Sequence, residues 1–455
     1  MKERTENIMG TKPVNSLLVG MAFPIMLSMI VQALYNVVDS IFVSMLSENA
    51  LTSVSLVFPI QNLMIAVAVG TAVGMNALLS RRLGEKNYEK ANRVANNGIF
   101  LSILNWLVFA GIGLTCSSLF LNSFTNNPEI AVAGANYMRI CTVFSFGLFM
   151  QITLERILQV TGKTTYQMFS QLTGALINIA LDPILIFGLF GLPKMGVAGA
   201  AWATVIGQII GMALSLIINH YKNHEVRLYF KEMLPDAKTI RGIYQVGLPT
   251  IIMQSIGSVM VFGMNKILIT FTETAISVFG IYFKLQSFVF MPVFGVTNAL
   301  VPIIGYNYGA RRKDRIMQAS KLSVIMITII MLAGTALFQL APTWLLSLFN
   351  ASESMYAIGA PALRIISVSF CFAGVAIVLS SMFQALGEGM MSLLMSIFRQ
   401  LVLLLPCAWL LAKFAGLDAV WYSFLFAEVF SLCFALFLYA RVYARKLKPM
   451  ESKTL

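Results

Sequence analysis

Long apolar stretches, separated by short polar ones, run along the whole chain. Twelve of them are long enough to cross a bilayer as helices, because each holds about 20 or more predominantly apolar residues. They begin near positions 16, 52, 95, 131, 166, 196, 242, 275, 322, 357, 392 and 418. A transmembrane β-barrel would instead show short segments in which apolar and polar residues alternate. The pattern therefore predicts an all-α integral membrane protein with twelve transmembrane helices.

The apolar pattern repeats within the chain. Residues 24–162 align without a gap with residues 249–387, at a constant offset of 225. Positions that are identical in the two copies include Pro24 and Pro249, Gln61 and Gln286, Gly70 and Gly295, Arg139 and Arg364, and Gly162 and Gly387. Each copy holds six predicted spans, an even number, so both copies enter the membrane from the same side. We therefore predict two parallel six-helix repeats (6+6) around a central cleft.

A polar segment that contains Pro235 separates the two copies. The predicted domains are a cytoplasmic N-terminal tail at residues 1–14, an N-terminal six-helix lobe at 15–219, a cytoplasmic inter-lobe linker at 220–241, a C-terminal six-helix lobe at 242–441 and a cytoplasmic C-terminal tail at 442–455. The first apolar segment carries no small-residue cleavage site, so we expect it to remain as the first span and not to be removed as a signal peptide.

Composition supports a membrane protein, and the placement of charge gives its orientation. Of the 455 residues, 58% are hydrophobic and 11% are charged, which is too little polar surface for a soluble globule. The net charge of +13 does not indicate nucleic acid, because the basic residues lie in alternate loops and in both tails. The loops on the opposite side hold Lys194 and Lys413. By the positive-inside rule both termini are cytoplasmic, and we expect a multi-pass protein of a bacterial plasma membrane.

The first of two carboxylates in the apolar segments of the first half is Asp39. A carboxylate inside a span costs on the order of 3 kcal/mol on insertion scales and persists where function or a partner justifies it. Gln32, Tyr35 and Asn36 precede Asp39 by 7, 4 and 3 residues, which places all four side chains on one helical face. The matching position of the second copy is Met264, which is not an acid. We interpret Asp39 as a functional residue; the alternative is a structural, hydrogen-bonded carboxylate.

The second carboxylate, Asp182 in the fifth span, has Asn178 four residues before it on the same helical face. Pro183 lacks the N–H that would otherwise bond to the carbonyl of Ile179. A carboxylate, an amide and a freed carbonyl within one turn can hold a proton or Na⁺. The alternative is a proline kink whose polar groups satisfy one another. The matching position of the second copy is Cys407.

Other charged side chains in the spans each allow two interpretations. Glu155 and Arg156 approach the cytoplasmic end of the fourth span, where they either form a pair that reaches toward the interface or belong to the transport path. Lys284, Arg399 and Glu428 lie deeper in the second half. They either line the cleft or form structural ion pairs.

Sulfur-containing side chains are abundant, and the chain holds 27 Met. Met260, Met264 and Met291 offer an adaptable apolar cavity for many ligands, or else they fill helix contacts. The five cysteines show no CxxC spacing, and the two histidines, His220 and His224, both lie in the linker. The sequence therefore predicts no metal centre of the Cys/His type and no catalytic site.

Six motifs are spread over nearly the whole chain. They are NVVDSIFV at residues 36–43, LSRRLGEKN at 79–87, LDPILIFG at 181–188, GAAWAT at 199–204, PIIGYNYG at 302–309 and QALG at 384–387. Together these motifs resemble the multidrug and toxic compound extrusion (MATE) transporters. The resemblance implies twelve helices in two six-helix lobes, and export of amphipathic, often cationic compounds in exchange for H⁺ or Na⁺.

Within that family the chain resembles the DinF-like branch, whose coupling residues lie in the N-terminal lobe. Carried over by position, the coupling residues are Asp39, Asn178, Asp182 and Thr204, and the same four would hold Na⁺. The NorM-like branch usually has a Glu eight residues after the Pro of the seventh span, where this chain has Gly257. Further candidates for the cleft or substrate site are Gln32, Tyr35, Asn36, Glu155, Met260, Met264, Lys284, Met291 and Arg399.

These observations predict a secondary active transporter and not an enzyme: a multidrug efflux antiporter that works by alternating access. We expect no cofactor other than the coupling ion, H⁺ or Na⁺. The expected partners are small amphipathic substrates and membrane lipids, not nucleic acid, and the expected state is a monomer. A flippase or exporter of a lipid-linked or other amphiphilic metabolite is the main alternative. A membrane-embedded enzyme is the second alternative, but no nucleophile-elbow, phosphate-loop or metal-ligand pattern supports it.

Overall fold

The computed structural model of the chain describes residues 7–229, 233–349 and 351–453, and the regular structure of these residues is entirely helical. Within them, ten helices are long and apolar enough to cross a membrane, and two bent helix pairs raise the number of spans to as many as twelve. The predicted all-α membrane fold is confirmed. Parts of the predicted tails and linker, at residues 1–6, 230–232 and 454–455, lie outside the described residues.

Eight α-helices occupy the first half of the chain. They are α1 (Ile8–Thr11), α2 (Val14–Ser44), α3 (Glu48–Gly84), α4 (Tyr88–Phe124), α5 (Pro128–Val143), α6 (Phe146–Val160), α7 (Thr164–Phe187) and α8 (Val197–Lys222). The second half contains α9 (Ala237–Leu268), α10 (Glu273–Gly309), α11 (Lys313–Leu340), α12 (Pro342–Ser347), α13 (Glu353–Ser367), α14 (Phe370–Ala385), α15 (Gly389–Ile397), a π-helical segment (Phe398–Leu404), α16 (Leu405–Ala415), α17 (Leu417–Val420) and α18 (Tyr422–Val442).

Two spans are bent at matching places of the repeat. Helices α5 and α6 meet at an angle of 42°, and α13 and α14 meet at 49°. A serine side chain lies at each break: Ser145 Oγ donates to the carbonyl of Thr142, and Ser369 Oγ donates to the carbonyl of Ile366, both at 2.7 Å. These hydroxyls take up backbone acceptors at the place where the regular helical bonds are interrupted. The duplicated scaffold therefore includes its bends.

The chain divides into two compact units. Of the described residues, those within 1–11 and 27–248 form unit 1, and those within 12–26 and 249–455 form unit 2. Helices α2 and α9 each belong to both units, because the division falls inside them, close to the matched prolines Pro24 and Pro249. Residues 15–26, predicted as part of the N-terminal lobe, thus belong to unit 2, and residues 242–248, predicted as part of the C-terminal lobe, belong to unit 1. Those boundaries were drawn through loops and stay predictions.

Helices α7 and α8 pack closely in unit 1, and the contact depends on glycine. A Cβ atom added to Gly207 would lie 2.6 Å from the carbonyl oxygen of Gly174, closer than real Cβ contacts come. Side chains that flank this contact therefore reach across it. Ser170 Oγ and Ser215 Oγ lie 2.6 Å apart, so the two helices are also joined by a buried hydroxyl pair.

Three asparagines of α4 bind the backbone of the described linker residues in unit 1. The side-chain oxygens of Asn92, Asn96 and Asn97 accept from the N–H groups of Arg227, Tyr229 and Asp236 at 3.0, 3.0 and 2.9 Å. Backbone groups that leave a helix need such partners wherever they are buried. The linker is therefore fixed to the end of α4 by side-chain hydrogen bonds.

Aromatic side chains fill much of the buried core of unit 2. Phe370 packs edge-on against Phe290 and Phe338, with ring centroids 5.4 and 5.3 Å away. Tyr282 packs in the same manner against Phe424, at 5.7 Å. Edge-to-face pairs of this kind stabilise a core beyond their area of burial. They join α10, α11, α14 and α18 within the unit.

Candidate functional site

The two carboxylates of the first half come together between α2 and α7. Asp39 lies near the C-terminal end of α2, and Asp182 lies near the C-terminal end of α7. Their carboxyl groups are within hydrogen-bonding reach of each other. Asp182 is fully buried and Asp39 is half-buried. Two adjacent carboxylates repel when both are ionised, and a proton or cation shared between them removes the repulsion.

The backbone just beyond Asp182 fixes the end of α7. The helix continues through Pro183 and ends at Gly188, whose φ of 74° is left-handed and suits glycine. The following loop folds back, and the N–H groups of Met195 and Gly196 each donate to carbonyls of the last turn at 3.1 Å. These bonds satisfy carbonyls that a helix end leaves without partners. Asp182 is therefore held on a rigid helix terminus.

Buried oxygen atoms without donors gather around the acids. Asp39 Oδ1, both carboxylate oxygens of Asp182 and Asn178 Oδ1 are buried and have no hydrogen-bond donor. Asn178 Nδ2 donates to Thr204 Oγ1 on α8 at 3.2 Å. A buried acceptor without a donor costs about 1–3 kcal/mol. The four residues Asp39, Asn178, Asp182 and Thr204 thus supply hard oxygen atoms of the kind that suit a proton or Na⁺.

The described part of the chain contains no candidate for a transition-metal centre. Among residues 7–229, 233–349 and 351–453, no three His, Cys, Asp or Glu side chains gather closely enough to hold a metal ion. The five cysteines are free thiols. The oxygen atoms around Asp39 and Asp182 come instead from two carboxylates, an amide and a hydroxyl, which resembles the ligand set of an alkali cation more than that of Zn²⁺.

A cavity of about 590 Å³, counting its open mouth, lies in unit 1 and shares residues with the acidic pair's surroundings. Five predicted site residues line it: Gln32, Tyr35, Glu155, Asn178 and Thr204. Tyr35 also interacts electrostatically with both Asp39 and Asp182. The structure therefore brings the predicted coupling residues and part of the predicted substrate site into one region of unit 1.

Glu155 is held inside this cavity by two glutamines. Gln151 Nε2 donates to Glu155 Oε1 at 2.9 Å, and Gln171 Nε2 donates to Glu155 Oε2 at 2.8 Å. The side chain of Glu155 is 3% exposed. Arg156 turns to another partner, since its Nη1 donates to Gln159 Oε1 at 2.8 Å. Glu155 thus faces the cavity with amide partners.

The remaining predicted site residues lie outside the Asp39–Asp182 pair and outside the lining of the cavity. Asn36 is exposed on α2. Five predicted residues belong to helical segments of unit 2: Met260 and Met264, both buried on α9, Lys284 and Met291, exposed and half-buried on α10, and Arg399, which lies on the π-helical segment. Arg399 Nη1 is 3.5 Å from Glu428 Oε1, an ion pair within unit 2.

Three glutamines of the cavity lining were not predicted from the sequence: Gln151, Gln171 and Gln208. All three are uncharged amides in apolar spans, and an amide is much less conspicuous there than a carboxylate. One signal was available: Gln151 precedes Glu155 by four residues, which places both side chains on one face of α6. A glutamine on the same helical face as a membrane-embedded acid indicates that the two side chains belong to one polar site.

Known proteins are similar to this chain over nearly its whole length. The MatE family model matches residues 24–184 and 249–410, two segments that begin 225 residues apart, as in the internal repeat. The multidrug export protein MepA of Staphylococcus haemolyticus (strain JCSC1435) is 26% identical over 418 residues, 92% of this chain and 91% of that protein. MepA of Staphylococcus aureus (strain NCTC 8325 / PS 47) is 25% identical over 435 residues, 95% of this chain and 94% of that protein.

Solved structures are also similar to this chain over nearly its whole length. The outward-facing conformation of a multidrug resistance MATE family transporter of the MOP superfamily superimposes with a TM-score of 0.91 and 27% identity, covering 99% of this chain and 100% of that one. A MOP superfamily transporter from Pyrococcus furiosus Vc1 (DSM3638) gives a TM-score of 0.90 and 28% identity, covering 98% and 100%. The chain therefore belongs to the MatE family and is a MATE transporter, not an enzyme.

Proposed function

We propose that the chain is a multidrug efflux antiporter that exports amphipathic, often cationic compounds in exchange for H⁺ or Na⁺ by alternating access. The proximity of Asp39 and Asp182 carries this proposal, because neighbouring buried acids without donors favour the uptake of a proton or cation. The relatives' description as multidrug export proteins supports efflux of more than one compound. The position of the acids in unit 1 suits coupling of the DinF-like type.

Each residue of the cluster has a distinct part in this mechanism. Asp39 and Asp182 take up the coupling cation on the outer side and release it on the inner side. Binding removes the repulsion between α2 and α7, and release restores it. Asn178 and Tyr35 belong both to the surroundings of the acids and to the cavity wall. A change at the acids therefore alters the polar lining that meets the substrate.

The energy balance favours more than one coupling charge. Export of a monovalent cation against 100 mV costs about 2.3 kcal/mol, and one entering proton regains about the same amount. A one-for-one exchange is therefore driven by the concentration gradient of the ion alone. A hundredfold substrate gradient costs about 2.8 kcal/mol. Two carboxylates provide room for a second charge, which would add the membrane potential to the driving force.

The proposed setting is a bacterial plasma membrane, with a monomer whose two termini are cytoplasmic. The basic loops support this orientation through the positive-inside rule. Labelling of a single cysteine, introduced at Lys238 or at Lys194 in an otherwise cysteine-free chain, tests it in intact cells. A membrane-impermeant thiol reagent should react at the second position and not at the first.

The central experiment measures ion-driven uptake of ethidium, a fluorescent cation, into proteoliposomes. A pH gradient and a Na⁺ gradient are imposed separately, so that the coupling ion is identified in the same series. We expect Asp39→Asn and Asp182→Asn to reduce gradient-driven uptake about tenfold or more, since each removes one ionisable oxygen pair. Asp418→Asn, which neutralises an exposed acid on α17, is the matched control and should transport normally.

Protein amount and folding in the liposomes are checked for every variant by gel and thermal melt. Wild-type rates in both acid-to-amide variants would refute the coupling proposal. Absence of ethidium transport by the unmodified protein under either gradient, with intact folding, would refute the efflux proposal itself.

A further inference from the structure

Glu155 is the one Asp, Glu, Lys, Arg or His side chain among the described residues that line the unit 1 cavity. It lies on α6, and its 3% exposure places the carboxyl group well inside the unit. Membrane-embedded acids that line a water-accessible cavity mark binding or transport sites by default. The ion-coupling mechanism, which uses Asp39 and Asp182, assigns no role to this third acid.

Two buried amide oxygens of the cavity wall lack a hydrogen-bond donor. The amide nitrogens of Gln151 and Gln171 are both used by Glu155, and the amide nitrogen of Asn178 is used by Thr204. By contrast, Gln171 Oε1 and Asn178 Oδ1 are buried and have no donor. A ligand that satisfies these two oxygens must bring N–H or O–H groups of its own.

The charges around the cavity also favour a ligand with positively charged donor groups. Arg156 attracts Glu155 electrostatically, but it does not line the cavity, and one of its guanidinium N–H groups is engaged by Gln159. Tyr35 adds a phenol to the lining and no charge at neutral pH. A positively charged donor would therefore meet one carboxylate and two free oxygens, and charge-assisted hydrogen bonds are about twice as strong as neutral ones.

The lining of the cavity combines polar groups with apolar side chains, which is typical of sites for organic ligands. Gly174 and Gly207 belong to the lining, and their backbones already touch across α7 and α8. The glycines thereby hold close together the two helices that form this wall. Leu148, Ile152 and Ala175 supply apolar wall for a hydrocarbon body.

We propose that this cavity binds the protonated primary or secondary amine of a transported compound, with Glu155 as its counter-ion. The ammonium group donates to Glu155, Gln171 Oε1 and Asn178 Oδ1, and the apolar body lies against the aliphatic wall. This inference rests on the proposed function as an exporter, and it places the charge of the substrate at a residue other than the Asp39–Asp182 pair.

The test is equilibrium binding to purified protein with three probes that share one aromatic body. They are 1-naphthylmethylamine, its N,N,N-trimethyl derivative and 1-naphthylmethanol, and binding is measured by calorimetry at pH 7. The first probe is charged and donates hydrogens, the second is charged without donors, and the third is neutral. We expect the unmodified protein to bind the primary ammonium most tightly and the alcohol most weakly.

Glu155→Gln removes the charge and keeps the shape of the side chain. We expect it to weaken binding of the primary ammonium about tenfold or more, and binding of the alcohol less than about twofold. Glu48→Gln, which neutralises an exposed acid at the start of α3, should leave all three affinities unchanged. If Glu155→Gln does not fold, Glu155→Asp replaces it, since the shorter acid retains the charge and should give an intermediate loss for the ammonium alone.

Three results would overturn the inference. The first is equal ammonium affinity in Glu155→Gln and the unmodified protein. The second is an equal loss for the amine and the alcohol, which would mean a merely structural role. The third is displacement of the amine by 100 mM NaCl but not by choline chloride, which would assign the site to an inorganic cation. None of these depends on gradient-driven transport, so failure of this inference and failure of the proposed antiport are distinguishable.

Discussion

Asn178 and Thr204 are joined across α7 and α8 by a hydrogen bond of 3.2 Å from the asparagine amide nitrogen to the threonine hydroxyl oxygen. Because the amide nitrogen is used in this way, the amide oxygen remains as a free acceptor beside the acids and the cavity. The bond therefore decides which end of the amide is offered to a cation. It is a small contact with a large effect on the polarity of the site.

Replacement of Thr204 by valine tests this contact. The substitution keeps the shape of the side chain and removes the oxygen, so the Asn178 amide loses its fixed orientation. We expect the concentration of coupling ion needed for half-maximal ethidium transport to rise about tenfold, a change of about 1.4 kcal/mol. Thr173→Val is the control, because the hydroxyl of Thr173 bonds to the Phe169 carbonyl of its own helix at 2.7 Å. An unchanged ion requirement in Thr204→Val would contradict the assigned role.

The close contact of α7 and α8 predicts a steric effect. A Cβ on Gly174 would lie 2.9 Å from the carbonyl oxygen of Gly207, so Gly174→Ala must push the helices apart. We expect a loss of stability of about 1–3 kcal/mol, seen as a lower melting temperature in detergent. Gly111→Ala on α4 is the matched control, since an added Cβ there meets nothing within 4 Å. Equal melting temperatures for the two variants would show that the helix contact yields without cost.

The ion pair of Arg399 and Glu428 predicts a non-additive pair of substitutions. The two side chains are 22% and 15% exposed, and the second carboxylate oxygen of Glu428 is buried without a donor. Arg399→Met should therefore leave an uncompensated charge and destabilise the protein by about 3 kcal/mol. The double variant Arg399→Met/Glu428→Leu should recover most of that loss, as a double-mutant cycle of thermal melts would show. Additive losses would mean that the two residues act independently.

The cap of α9 predicts a dependence of stability on pH. Asp236 accepts from the Thr239 hydroxyl and from the Thr239 N–H at 3.2 Å, and these hydrogen bonds lower the pKa of the Asp236 carboxyl. A lowered folded-state pKa gives stabilisation that is present above the unfolded pKa, about 3.9, and is lost as pH falls through the folded value.

The melting temperature of Asp236→Ala should therefore lie below that of the unmodified protein between about pH 5 and pH 7, and the gap should narrow below about pH 4. Asp418→Ala serves as the control and should show no such trend, since Asp418 is exposed on α17. A gap that stays constant down to pH 3 would mean that the carboxylate charge does not contribute to the cap.

The sequence was most informative at side chains whose insertion into a membrane costs free energy. Asp39 and Asp182 could be identified because a carboxylate in an apolar span is conspicuous, and the structure brings their carboxyl groups together. Gln151 and Gln171 could not be identified by that criterion, because neutral amides are cheaper to insert. The bends near Ser145 and Ser369 were also invisible, since serine is frequent in membrane helices and no proline lies at either break.

Helical periodicity also could not show where one unit ends and the next begins. The sequence placed the boundaries in loops, at residues 14, 219 and 241, as the polarity of the chain suggests. The compact units instead divide inside α2 and α9, near Pro24 and Pro249. An apolar helix gives no local signal of the unit to which each of its turns belongs, because that depends on packing partners far away in the sequence.

This division inside α2 and α9 makes the duplicated halves mutually dependent for their completion. A chain cut in the linker would yield an N-terminal fragment without residues 242–248, which belong to unit 1, and a C-terminal fragment without residues 12–26, which belong to unit 2. Each fragment would carry a piece that finishes the other.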